Sequence, residues 1–221
     1  MKIKDGLKLK GKPAEIPDTS RVDLPVFFKE RGYKVGAEIG VLKGDFTKKF
    51  CDVGIKMYGI DPWRARGNRL QRRQDSLYRY TLRHLKEHID SGLCEIIKKT
   101  SMEAVENFED ESLDFVYIDG NHNFRYVAED LFEWTKKVKK GGVISGHDYA
   151  FIKKKPGSPD AIHVIHVLHA YINSFGIKNF YILGRKYPQG KRILIRPYYI
   201  YKKNGKEEKR DLWRSWFWIK E

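Results

Sequence analysis

Short apolar runs alternate with amphipathic stretches from Val35 to the C-terminus, and that alternation leaves few folds open. Residues 35–39, 56–61, 94–98, 113–118, 143–145, 179–183 and 215–219 have strand length and carry the β-branched and aromatic residues that strands favour. Helical patterns lie between them, at 22–31, 45–53, 76–89, from Ser101, and at 124–138 and 159–175. The clearest is 124–138, where Val127, Leu131 and Trp134 recur at helical spacing. Strand then helix, repeated, predicts a Rossmann-like α/β domain with about seven mostly parallel strands and helices on both faces. Residues 1–20 read as a basic arm. Residues 185–212 read as a hairpin insertion before the last strand, turning at Asn204-Gly205. With 221 residues there is material for one core, so residues 21–221 form a single domain.

Composition narrows the setting. No stretch approaches the ~20 apolar residues of a membrane helix. The basic start has no apolar run behind it, so no secretory signal is expected. Cys51 and Cys94 lack metal-type spacing and read as reduced thiols of a cytoplasmic protein.

In an open parallel sheet, ligands bind beyond the carboxyl ends of the strands. Five such points carry polar residues: Glu38/Gly40/Gly44, Asp61, Ser101, Asp119–His122 and His147–Asp148. The Glu38–Gly44 turn has two glycines and a helix behind it, which suits an anionic ligand end. It lacks the three glycines that admit a pyrophosphate, so a carboxylate or an unphosphorylated adenosine fits better. Asp61, at the next strand's end, stands where a carboxylate can accept both ribose hydroxyls. Asp119 and Asp148 end adjacent strands, and two neighbouring buried carboxylates call for a cation or a proton between them. A Mg²⁺-type site with His122 or His147 as a base is the chemistry this pattern suggests.

Taken in order, Glu38-x-Gly40-x-x-x-Gly44, Tyr58-Gly-Ile-Asp61-Pro-Trp63 and Ser101-Met-Glu103 resemble class I S-adenosylmethionine-dependent methyltransferases. The segments Leu113–His122 and Lys140–Tyr149, with Ser215–Lys220 as a last strand, look like methyltransferase family 24. That family is related to the macrocin-type sugar O-methyltransferases and, more distantly, to catechol O-methyltransferase. The resemblance covers residues 33–183 and 215–220, and it implies a seven-stranded sheet with one antiparallel strand near the C-terminus. It also implies S-adenosylmethionine as cofactor, its methionine end at the turn from Glu38 through Gly40 to Gly44. Asp61 would take the ribose, Ser101 and Met102 would border the adenine, and Asp119 would lie between the cofactor and a Mg²⁺ shared with Asp148. Tyr149 departs from the pattern, since the catechol enzyme has an asparagine there.

Charge points to the acceptor. The formal net charge is +15. Residues 64–73 hold five Arg and no acid, 153–155 are three Lys, and 185–210 hold ten Lys/Arg against two Glu. All three follow strand ends on the expected ligand rim, which predicts an anionic acceptor; the resemblance to sugar O-methyltransferases implies a small, polyhydroxylated one. An RNA methyltransferase and a non-catalytic nucleoside-binding protein are the alternatives, and a homo-oligomer is compatible with either. Trp213, Trp216, Phe217 and Trp218 read as a buried last strand rather than a base-stacking platform. His163, His166 and His169 read as the solvated face of a packed helix rather than a metal cluster.

Overall fold

Each of the seven apolar runs becomes a strand of one sheet, and an eighth strand comes from the N-terminal arm. The computed structural model describes residues 1–65, 67–150, 162–184, 198–203, 206–211 and 213–221. The chain starts with α1 (Ile3–Gly6), β1 (Ala14–Ile16), a 3₁₀ turn (Arg21–Asp23) and α2 (Leu24–Glu30). There follow β2 (Val35–Ile39), α3 (Asp45–Asp52), β3 (Lys56–Ile60), α4 (Asn68–His84), α5 (Lys86–Asp90) and β4 (Cys94–Ile97). Next come α6 (Ser101–Val105), β5 (Leu113–Ile118), α7 (Phe124–Lys137), β6 (Val138–Tyr149) and α8 (Val164–Ser174). The chain closes with β7 (Tyr181–Leu183), β8 (Tyr198–Lys203), β9 (Lys206–Asp211) and β10 (Arg214–Ile219).

The sheet runs β1-β7-β10-β6-β5-β2-β3-β4, all parallel except β10, which is antiparallel to both β6 and β7. The period-two pattern explains its two cores. On β5, Phe115 and Tyr117 join Phe28 of α2 and Phe50 of α3 on one face. Val116 and Ile118 join Leu131 and Trp134 of α7 and Leu168 of α8 on the other. On β10, Trp216 and Trp218 face the second core and Phe217 the first, each at most 2% exposed, so none is a surface stacking platform.

Three expectations are corrected. The arm at residues 1–20 is not outside the fold: Ala14 to Ile16 pair in register with Tyr181 to Leu183, which raises the strand count from seven to eight. The Arg-rich segment after β3 is mostly helix, because α4 starts at Asn68 rather than near Ser76. The helix expected from residue 159 is described from Val164. Thr100 caps α6: its Oγ1 accepts from Glu103 N at 3.3 Å, and the Glu103 carboxylate accepts from Thr100 N at 2.8 Å. In the insertion, β8 and β9 pair as an antiparallel hairpin, with Lys203 opposite Lys206. Its expected turn at 204–205, and the basic runs at 153–155 and 185–197, lie outside the described residues. No helix among the described residues is long and apolar enough to cross a membrane.

Candidate functional site

From β2 the chain runs outward through β3 and β4, then crosses to β5 on β2's other side, so the loops leaving β2 and β5 diverge. Asp119 N donates to Ile39 O and Gly40 N to Ile60 O, both at 2.8 Å, which pins the three strand ends together. Gly40 has φ +94°, and a Cβ there would stand 2.2 Å from the Asp119 carbonyl oxygen. Only glycine fits under that backbone. Gly44, at φ +81°, forms the N-cap of α3.

Beyond these ends opens a cavity of about 600 Å³. Gly40, Asp61, Ser101, Met102 and Asp119, all singled out from the sequence, line it. Glu38, Gly44, His122, His147 and Asp148 stand outside its wall. Glu38 is 2% exposed and accepts a hydrogen bond from Thr47 Oγ1 of α3, tying the turn to the helix from below. Burial pushes its carboxyl up to about 8, against the Thr47 hydrogen bond.

Asp61 holds the two loops at the cavity mouth. Its Oδ2 accepts from Leu42 N at 3.0 Å and its Oδ1 from Trp63 N at 2.8 Å. Each oxygen keeps a lone pair for a ligand hydroxyl. Burial raises its pKa, against these N–H donors. Leu42 (φ 53°), Trp63 (φ 40°) and Asp148 (φ 59°) sit in the left-handed region, strain of the kind that gathers at functional sites.

The second half of the site is ionic. Ligand atoms of Asp119, His122 and Asp148 lie within 4.8 Å of one another, the one such metal-type group among the described residues. His122 Nε2 is 2.6 Å from Asp148 Oδ2 and 3.7 Å from Asp119 Oδ1. His147 Nδ1 lies 3.2 Å from Asp148 Oδ1, and its carbonyl accepts the Trp216 indole N–H at 2.8 Å, anchoring the pair to β10. Burial alone would lower the His122 pKa, but hydrogen bonds to Asp119 and Asp148 carry it up to about 10. His147 is likewise raised against burial, by Asp119 and Asp148. Burial would raise Asp148, yet its two histidine partners hold it well below the usual carboxylate range. Between these two carboxylates His122 keeps its proton at neutral pH.

Two site residues were missed. Arg21, in the 3₁₀ turn, donates to Asp119 Oδ2 at 3.1 Å across 98 residues, and nothing local in the sequence signals it. Asp130 of α7 lines the cavity while only 4% exposed. Its signal was present: 130 falls on the stripe defined by Val127, Leu131 and Trp134, and an acid on an apolar stripe needs a reason. The trio His163, His166 and His169 does not gather; His169 Nε2 pairs with Tyr149 OH at 2.9 Å and His163 Nδ1 accepts from Phe124 N at 3.1 Å.

The buried acids set a pH dependence. Burial raises Asp130 to about 7, against the Ser101 hydrogen bond. Between their unfolded values near 4 and these raised ones, Glu38 and Asp130 hold protons in the folded chain that the unfolded chain releases. Stability therefore falls as pH rises through that window, by about 1.4 kcal/mol per pH unit per group. The decline ends as each ionises in the fold, near 7 and 8. His122 adds a loss of the same sign above pH 6.5. Thermal melts between pH 5 and 8 should show a shallower decline for Glu38→Gln than for the parent; equal slopes would contradict this.

This strand order, with an antiparallel strand near the C-terminus, a glycine turn after β2 and an acid after β3, is the fold of class I S-adenosylmethionine-dependent methyltransferases. A family model for a methyltransferase domain, methyltransferase family 24, matches residues 37–149. The chain belongs to that family.

An uncharacterized protein of Sinorhizobium fredii, y4gI, is 24% identical over 117 residues; the match takes in 50% of this chain but spans only 12% of that protein's length. The O-methyltransferase TomG from Streptomyces achromogenes, involved in tomaymycin synthesis and solved with S-adenosylmethionine, superposes with a TM-score of 0.58 at 12% identity, over 91% of this chain and 79% of that one. An O-methyltransferase from Bacillus cereus, solved with S-adenosylhomocysteine, superposes with a TM-score of 0.58 at 13% identity, over 99% and 87% of the two chains. These likenesses speak to the fold.

Proposed function

We propose that this methyltransferase transfers the methyl group to a hydroxyl oxygen of a small, polyhydroxylated, anionic acceptor, aided by a divalent ion such as Mg²⁺. The observation that carries this reading is the meeting of Asp119, His122 and Asp148 within 4.8 Å, with Asp119 also in the cavity wall. Two carboxylates from adjacent strand ends are the donor chemistry a hard divalent ion requires, and the imidazole nitrogen stands beside them within reach of a hydroxyl such an ion would hold. When bound, such an ion orients an acceptor hydroxyl and lowers its pKa.

The chain's own residues do the rest. Asp61 takes the ribose hydroxyls, Gly40 lets the cofactor's amino-acid end pass close to the backbone, and Ser101 and Met102 border the base. Asp119 and Asp148 would hold such an ion, and its charge would offset the pull these acids exert on the His122 proton. His122 Nε2 would then offer its lone pair to the acceptor's proton as a general base. His147 positions Asp148.

The anionic acceptor follows from α4, which leaves the Asp61 loop. Gln71 ties the helix to that loop, donating to Trp63 O at 3.0 Å and accepting from Ala65 N at 2.9 Å. Arg69, Arg72 and Arg73 stand exposed in its first turns. Arginine suits phosphate or carboxylate by its paired donors. Changing all three to glutamine should raise KM for the acceptor by ~10-fold or more while leaving S-adenosylhomocysteine affinity unchanged. A panel of hydroxylated acceptors assayed for S-adenosylhomocysteine release reads this out, and an unaltered KM would sink the anionic reading. RNA is the second reading, favoured by the same arginines. A steep log–log salt dependence in filter binding would support it.

A further inference from the structure

Asp130 is a buried acid that methyl transfer does not use. The Trp134 indole Nε1 donates to Ser101 Oγ at 2.7 Å, and that hydroxyl donates to Asp130 Oδ1. With Asp130 ionised, the direction of this relay is forced. An indole N–H can only donate, so the serine accepts it and gives its single proton to the carboxyl group. Oδ1 is thus an occupied acceptor.

The other oxygen is different. Among the described residues no hydrogen bond is made to Oδ2, which lies 3.8 Å from where a Cβ on Gly120 would stand, at the cavity wall. Asp130 is 4% exposed and stands in the cavity wall, so a ligand filling the cavity would strip water from Oδ2 unless it supplied a donor. Ile60, Pro62 and Met102 give the same cavity an apolar stretch of wall. The Ser101 hydroxyl proton is already given to Oδ1.

We propose that Asp130 Oδ2 accepts a hydrogen bond from the exocyclic amino group of the cofactor's adenine and makes the site selective for a 6-amino over a 6-oxo purine. This rests on the reading above that the cavity takes S-adenosylmethionine with its base against Ser101 and Met102. A 6-amino group gives a donor to the carboxylate. A 6-oxo group would set lone pair against lone pair and leave the buried oxygen unpaired.

The test is calorimetric binding of S-adenosylhomocysteine and S-inosylhomocysteine, above the Asp130 pKa of about 7. The parent should prefer the adenosyl compound by ~10- to 100-fold. In Asp130→Asn the Ser101 hydroxyl still donates to the amide oxygen, which turns the amide NH₂ toward the cavity. The adenosyl compound should then weaken by ~10- to 100-fold while the inosyl compound holds or tightens, and the preference should reverse. A purely structural role would weaken both alike. Equal binding of the two by the parent, or equal weakening by the variant, overturns the proposal. The parent's ratio decides even if the variant does not fold. A parent that binds neither nucleoside would take down the cofactor reading, and this proposal with it.

Discussion

Gly40→Ala should abolish measurable S-adenosylhomocysteine binding and lower the melting temperature by about 6–12 °C. The added methyl carbon would stand 2.2 Å from the Asp119 carbonyl oxygen, 2.6 Å from its carbon and 2.8 Å from Gly120 Cα. All three are backbone atoms, so no side chain can rotate away. The alternative is to part the ends of β2 and β5, which breaks the Asp119 N to Ile39 O bond and shifts Asp119 itself. The positive φ adds strain that glycine does not feel. Together these terms come to about 3 kcal/mol, enough to displace the loop that carries the site without unfolding the sheet. Calorimetry and a thermal melt on the purified variant check it. Retained affinity would mean the turn after β2 does not shape the cofactor pocket.

Asp148→Asn separates binding from chemistry. Asp148 is 2% exposed at φ 59°, and asparagine is among the few residues that tolerate that backbone conformation, so the loop should keep its shape. Two things are lost: a negative charge for the divalent ion, and the acid 2.6 Å from His122 Nε2. Turnover should fall by ~10²-fold or more, and the thermal stabilisation by added divalent ion should disappear. S-adenosylhomocysteine affinity should not change, because Asp148 stands outside the cavity wall. A variant that keeps both activity and ion stabilisation would remove the ion from the mechanism.

The parts of the site that were legible share one property: they end strands. Asp61, Asp119 and Asp148 were found because an apolar run with a polar stop places its last side chain on the ligand rim whatever the tertiary details. Residues that reach the site from elsewhere were not legible. Arg21 arrives from a 3₁₀ turn 98 positions away. Asp130 sits beside Glu129, and an acidic doublet reads as solvated even where one member falls on the buried stripe. β1 escaped because three residues between Pro13 and Pro17 show no periodicity; only pairing with β7 makes them a strand. α4 was read too short because its apolar face is sparse: Thr81 is its one fully buried residue, and helix-favouring Arg, Gln and Leu carry its first turns.

A crystal structure of the chain grown with S-adenosylhomocysteine bears most directly on all of this. The nucleoside should occupy the opening between the exits of β2, β3 and β5, its ribose diol on the Asp61 carboxylate and its base beside Ser101, Met102 and Asp130. A nucleoside bound elsewhere, or one whose diol points away from Asp61, would contradict the account.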